Sequence, residues 1–219
     1  MRLKLKSTAF PRTLTLSLDD DRFQLEDAIT ALNSQNITAI EISDWNGSKL
    51  TKKIADFKAL KEIRFTRCHS LKIFPAILAS CPNMEEIAFI DCADFSSLKG
   101  LSACASCRAV HICRCDSFEE IDENLSLLQN LVALDVSSSP NLRDIEIGKL
   151  PKSLKILDIH GCASVSFDED ALSQTHILSP KIQDLSRLDA GLEPTPSSNI
   201  VNDLKNAAYA RFNAGLDDG

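Results

Sequence analysis

A string of the form apolar-x-x-apolar-x-apolar recurs along this chain at an almost fixed interval. It begins at Ile37, Leu60, Met84, Cys107, Leu131 and Leu154, with a degenerate copy at Thr13. The start-to-start spacings are 24, 23, 24, 23, 24 and 23 residues. Of the 21 first, fourth and sixth positions in these copies, only Thr13 is not apolar. With 44% apolar residues overall, chance gives that outcome on the order of one time in a million. No copy is long enough to bury a core alone, so the copies must stack, each against its neighbours, as a solenoid.

Within each copy the third to eighth positions predict a short strand. Its fourth and sixth side chains point inward and their neighbours outward. Stacked in parallel, the strands make a concave sheet whose inner ladder includes Leu134 and Leu157. Apolar residues at the twelfth position (Leu71, Phe95, Phe118, Leu142, Val165) and the fifteenth (Phe74, Leu98, Ile121, Ile145) fill the turn toward the convex side. Phe23, Ala28, Ile29 and Leu32, then Leu50, Ile54 and Phe57, predict short convex helices. Later convex segments predict helical turns. Leu3 and Leu5 alternate with Arg2, Lys4 and Lys6, which predicts a hairpin cap over residues 1–12. The solenoid then occupies 13–178 as seven repeats. Ile177, Ile182, Leu185 and Leu188 are expected to cover the last repeat, and residues 179–198 to form a cap and linker ending in EPTPSS. Residues 199–216 predict a tail helix with Ile200, Leu204, Ala208 and Phe212 on one stripe.

The repeat resembles that of leucine-rich repeat proteins. The string Cys68-His-Ser-Leu71-Lys-Ile-Phe-Pro75 looks like the repeats of plant resistance proteins. Cys81-Pro82-Asn83-Met84, followed by Cys92, looks like the cysteine-containing repeats of F-box proteins. The resemblance covers about residues 13–167. It implies an α/β fold, a right-handed arc with a parallel concave sheet, and a scaffold for protein recognition. By analogy it also admits a bacterial effector delivered into a host cell.

The eight cysteines are expected to be free thiols. Cys68, Cys92, Cys115 and Cys162 fall at the ninth position, where the chain turns off the strand and the side chain points inward. Free thiols imply a reducing, cytoplasmic compartment. The N-terminal segment, broken by Pro11, lacks the apolar stretch of a secretory signal. Cys104 and Cys107 with Cys113 and Cys115 have zinc-like spacing, but the register spreads them over inward and outward positions.

Outward positions three, five, seven and eight hold nine acids: Asp19, Asp20, Glu41, Asp44, Glu62, Glu86, Asp91, Asp135 and Asp158. Against them stand Arg64, Arg67 and Arg114, a net of −6 out of a formal charge of −7. A concave wall of one sign steers oppositely charged partners and repels phosphates. Arg64 and Arg67 lie by register between Glu41 and Asp91, which predicts cross-strand ion pairs. His111, Asp135 and Asp158 share the fifth position of three consecutive strands, and Cys113, Ser137 and His160 the seventh. Histidine beside aspartate and cysteine is the raw material of a metal or hydrolytic site. Cys113 and His160 are two strands apart, however, roughly 9.6 Å between backbones, which is long for a nucleophile and its base.

The expected function is non-catalytic protein recognition, with no cofactor and no metal. The partner face comprises Glu41, Asp44, Glu62, Arg64, Arg67, Glu86, Asp91, His111, Arg114, Asp135, Asp158 and His160. The expected partner is a protein with a basic surface, not nucleic acid or membrane, met by a monomer. Two alternatives stand beside it: a metal-binding or hydrolytic site around His111, Asp135 and Asp158, and an adaptor or delivered effector acting through the C-terminal helix.

Overall fold

The computed structural model describes residues 2–6, 13–17, 29, 37–142, 145, 150–159, 161–162 and 176–178, all within the first of two units, Met1–Pro180. Among them, nine strands make one sheet in sequence order. They are β1 (Arg2–Lys6), β2 (Thr13–Ser17), β3 (Ala39–Ser43), β4 (Glu62–Thr66), β5 (Glu86–Ile90), β6 (Ala109–Cys113), β7 (Ala133–Asp135), β8 (Ile156–Asp158) and β9 (His176–Leu178). β1 runs antiparallel to β2, and every later neighbour is parallel. No helix among the described residues is long and apolar enough to cross a membrane.

The inward ladder follows from the repeat. Ile40, Ile63, Ile87, Val110, Leu134 and Leu157 are register partners from β3 to β8, and all are buried. One register step behind them, Phe65 stacks on Phe89 at 5.1 Å between ring centroids. Phe89 stacks on Phe95 at 3.9 Å, and Phe95 lies parallel to Phe118 at 6.0 Å. The sixth-position side chains thereby join those of the twelfth in one buried aromatic column, where stacking adds to area burial.

The ninth-position thiols tie consecutive repeats together. Cys68, Cys92, Cys115 and Cys162 donate to the sixth-position carbonyls of Ile42, Phe65, Phe89 and Val136 of the preceding repeat, at 3.4, 3.7, 3.6 and 3.0 Å. All eight cysteines are unpaired and buried. Burial pushes the Cys104 and Cys107 thiols up to about 12. Asn83 and Asn130 donate side-chain N–H groups to Lys58 and Ala105 carbonyls one repeat back. These bonds satisfy turn carbonyls that no strand partner reaches.

On the return path, 3-10 helices span Lys52–Asp56, Ala76–Ser80, Leu101–Ala103 and Leu125–Leu127. Leu50, Ile54 and Phe57 are buried as their spacing predicts, in a 3-10 turn whose larger rise per residue suits so short a return. Asp122 is buried and accepts from the N–H groups of Gly100 and Ser102, which open the preceding 3-10 turn, and from Asn124 in its own. Burial raises its pKa, but the backbone donors outweigh that and hold it below the usual carboxylate range.

Two features differ from the sequence reading. Thr13 pairs with Ala39 and Leu14 with Ile40, so Thr13 takes the third position of its repeat, not the first. Leu14, Leu16 and Leu18 alternate, and a two-residue slip leaves the same face inward, so alternation alone cannot choose the register. The hairpin with β1 does occur, pairing Leu5 with Leu14 and Leu3 with Leu16. At the other end Ile177 is part of a further strand, opposite Leu157. Aligned on that pairing, Gln174 and Ser179 occupy first and sixth positions, so only one of the three pattern sites is apolar. Ile182, Leu185, Leu188, Val165, Phe23, Ala28, Leu32 and the expected tail helix lie outside the described residues.

Candidate functional site: the outward face of the sheet

The strands from β3 to β8 are each followed, at the eighth position of the repeat, by a residue with positive φ. Asp44, Arg67, Asp91, Arg114 and Ser138, all at the eighth position, have φ of 58, 53, 55, 53 and 55°. Gly161 follows in the same place at 78°. Side chains rarely adopt this left-handed region. What holds it is the ladder: the N–H groups of Asp44, Arg67, Asp91 and Arg114 donate to Thr66, Ile90, Cys113 and Ser137 carbonyls of the next repeat, at 2.9 to 3.3 Å.

The turn brings the eighth-position side chains of neighbouring repeats together. Arg67 grips Asp44 with two bonds of 2.6 and 2.9 Å. Arg114 grips Asp91 in the same way, at 2.5 and 2.8 Å. The rim therefore alternates Asp, Arg, Asp, Arg. With side chains about a third to a half exposed, each pair is worth at most about 1 kcal/mol. Arg64 and Glu41 are register partners, but no ion pair forms between them. Among the described residues Arg64 has no ion pair.

The register of β2 in the first repeat changes the charge of the face. With Thr13 at the third position, Asp19 and Asp20 leave the outward set by register, and both lie outside the described residues. Seven acids then face three arginines, a net of −4 where the sequence count was −6. Glu62 and Glu86 are direct register partners, as are Asp135 and Asp158.

Asp135 is the hub of the later strands. Its Oδ2 lies 3.5 Å from His111 Nδ1 and accepts from Cys113 Sγ at 3.2 Å. Its Oδ1 accepts from the Ser137 N–H at 2.9 Å. Burial disfavours the charged imidazole of His111, but the Asp135 bond and charge outweigh it, and the pKa is raised. Burial likewise disfavours the Asp135 carboxylate, and its bonds to His111 and Ser137 reverse that, so its pKa is lowered. Burial, then the Asp135 charge, pushes the Cys113 thiol up, which leaves it a poor nucleophile. His160 lies outside the described residues, so the pairing of Cys113 with it is not placed. Among the described residues no group of three or more His, Cys, Asp and Glu side chains is arranged to share a metal ion.

These shifts set a pH dependence. A raised histidine pKa contributes stability that is full below the unfolded value of about 6.5 and is lost as pH rises through the folded value. A lowered aspartate pKa contributes stability present above about 3.9 and lost as pH falls through the folded value. The pair should favour folding most between these limits. Urea midpoints should fall from pH 6 to pH 8.5, and His111→Gln should flatten that slope. An equal slope in the variant would show that other groups set it.

Residues that a search for charged groups overlooks occupy the centre of the face. β5 presents Ala88 at the fifth position, between Arg64 and His111, and Ile90 at the seventh, between Thr66 and Cys113. Ile90 is partly exposed, while Ala88 is only 2% exposed, covered by its neighbours. The register alone locates both.

No protein-family model matches the chain, and no curated protein does. Solved structures do. The leucine-rich repeat domain of the type III effector XopL is similar with a TM-score of 0.56 at 18% identity, over 74% of this chain. The chain has the leucine-rich repeat fold. It covers 66% of the XopL domain's own length. TLR13 in its ssRNA13 complex is similar with a TM-score of 0.44 at 16% identity, over 67% of this chain and 26% of TLR13.

Proposed function

We propose that the chain recognises another protein on the concave face of its sheet, without chemistry of its own. One observation carries this reading: β5, the fifth of nine strands, leaves aliphatic Ile90 partly exposed among the small or short side chains of Ala88, Thr66 and Cys113. Charged residues flank it on both sides, with Glu41, Glu62, Glu86 and Arg64 before it and His111, Asp135 and Asp158 after it. An apolar centre within a polar surround is the layout of a binding patch. The side chains stand on a rigid ladder and lose little entropy on contact. The acidic excess favours a partner with a basic surface, met in a reducing cytoplasm.

The test is partner capture by Ile90→Arg, with circular dichroism to confirm folding. A charge in the centre of the patch should weaken capture about tenfold or more. The double reversal Glu41→Lys with Glu86→Lys should slow association more than it speeds dissociation, and added salt should slow the wild type. A partner that binds all of these alike would refute the concave face.

A further inference from the structure

We propose that the concave face holds a carboxylate-binding point over Ala88, where Arg64 and His111 accept an acidic side chain from an extended partner segment that also carries a basic residue two positions away. The inference rests on the concave-face reading and names the chemistry it selects.

Three observations meet here. Arg64, Ala88 and His111 are consecutive register partners on β4, β5 and β6. The two outer backbones are therefore roughly 9.6 Å apart, twice the strand spacing. Ala88 reaches no further than Cβ, yet it is only 2% exposed, so its neighbours lean across it. The Arg64 charge is close enough to lower the pKa of His111. The guanidinium and the imidazole are thus brought together, and Arg64 makes no ion pair among the described residues. His111 Nδ1 faces Asp135, and Nε2 makes no hydrogen bond among the described residues. An imidazolium held by Asp135 presents Nε2–H as a second donor beside the guanidinium fork. A carboxylate accepting from both relieves the repulsion and gains charge-assisted bonds.

The flanking acids decide what accompanies that carboxylate. Glu62 and Glu86 stand opposite each other two residues earlier on β4 and β5. Alternate residues of a strand lie on one face about 6.7 Å apart. An extended partner segment has the same spacing. A Lys-X-Glu or Glu-X-Lys segment therefore sets its ammonium against Glu62 and Glu86 while its carboxylate meets Arg64 and His111. An isolated acid would be repelled by Glu86, and an isolated base by Arg64.

The charged groups that act on His111 are Asp135 on β7, Glu86 on β5 and Arg64 on β4, and Cys113 on its own strand donates to the same Asp135 oxygen. Among these, imidazole is the one whose ordinary range lies between pH 5 and 8. Binding should weaken as the pH rises through the His111 pKa.

The experiment uses the full chain and three peptides, acetyl-Gly-Lys-Gly-Glu-Gly-amide and its analogues with Gln in place of Glu or of Lys. The readout is the imidazole carbon–proton NMR signal of His111, assigned with His111→Gln. The parent peptide should shift that signal and raise its titration midpoint. Either Gln analogue should bind about tenfold more weakly, as should Arg64→Gln with the parent peptide, while Arg64→Lys keeps part of the affinity. Equal binding of the Glu-to-Gln analogue, an Arg64→Gln affinity equal to wild type, or an unmoved His111 signal would overturn the proposal. If partner capture still responds to Ile90→Arg when the peptides fail, the concave-face reading stands and only the carboxylate point falls.

Discussion

Replacing Phe89 with alanine should lower the free energy of unfolding by about 3–5 kcal/mol. Phe89 is fully buried, with Phe65 at 5.1 Å on one side and Phe95 at 3.9 Å on the other. Its removal takes one ring from the middle of the aromatic column, so both neighbours lose a stacking face as well as dispersion contacts. The main chain cannot close the gap, because β5 is hydrogen-bonded to β4 and β6 on both sides. In a solenoid each repeat is stabilised mainly by its neighbours, so a weak link at the centre also reduces cooperativity. Urea unfolding should show a lower midpoint together with a lower slope. Glu41→Gln, on the outward face, should stay within about 0.5 kcal/mol of wild type. A Phe89→Ala midpoint equal to wild type would mean that the column does not hold the repeats together.

The inward ladder was legible because burial is periodic. Ile40 to Leu157 repeat at a spacing set by one turn of the solenoid, and the Cys68, Cys92, Cys115 and Cys162 thiols share that phase. The ends were harder, since a cap breaks the period. Thr13 slipped by two residues because Leu14, Leu16 and Leu18 present the same face in either register. Ile177 lies in a short strand although Gln174 and Ser179, at the other pattern positions of the sequence, are polar, since the open edge of β8 offers hydrogen-bond partners to any extended backbone. On the outward face the register placed Glu62 opposite Glu86 and His111 beside Asp135. It did not reveal which arginine pairs with which acid. That choice is made by backbone geometry at the strand ends, where φ turns positive at Asp44, Arg67, Asp91 and Arg114. No composition rule predicts the turn, because aspartate and arginine occupy it where glycine is the ordinary choice. Only Gly161 betrays it in the sequence. The central apolar point, Ile90 with Ala88, follows from the register alone and carries no charge to mark it.

Those strand ends give the second large effect. Arg114→Val should cost about 2–4 kcal/mol, and Arg114→Gly should fall within about 1 kcal/mol of wild type. Arg114 has φ of 53° and bonds Asp91 through two nitrogens. Both substitutions remove the ion pair, whose side chains are 36% and 35% exposed and whose worth is therefore small. They differ in the backbone. A β-branched side chain in the left-handed region is a severe outlier, whereas glycine enters it without a Cβ clash and so recovers most of what the lost pair contributed. If the turn is held by charge, the two variants will melt together. If it is held by the ladder bond from the Arg114 N–H to the Ser137 carbonyl at 3.3 Å, valine will be far the worse. The second outcome is expected, because a bond between neighbouring repeats constrains the direction in which β6 leaves the sheet. It thereby fixes where His111 and Cys113 stand on the face that meets a partner.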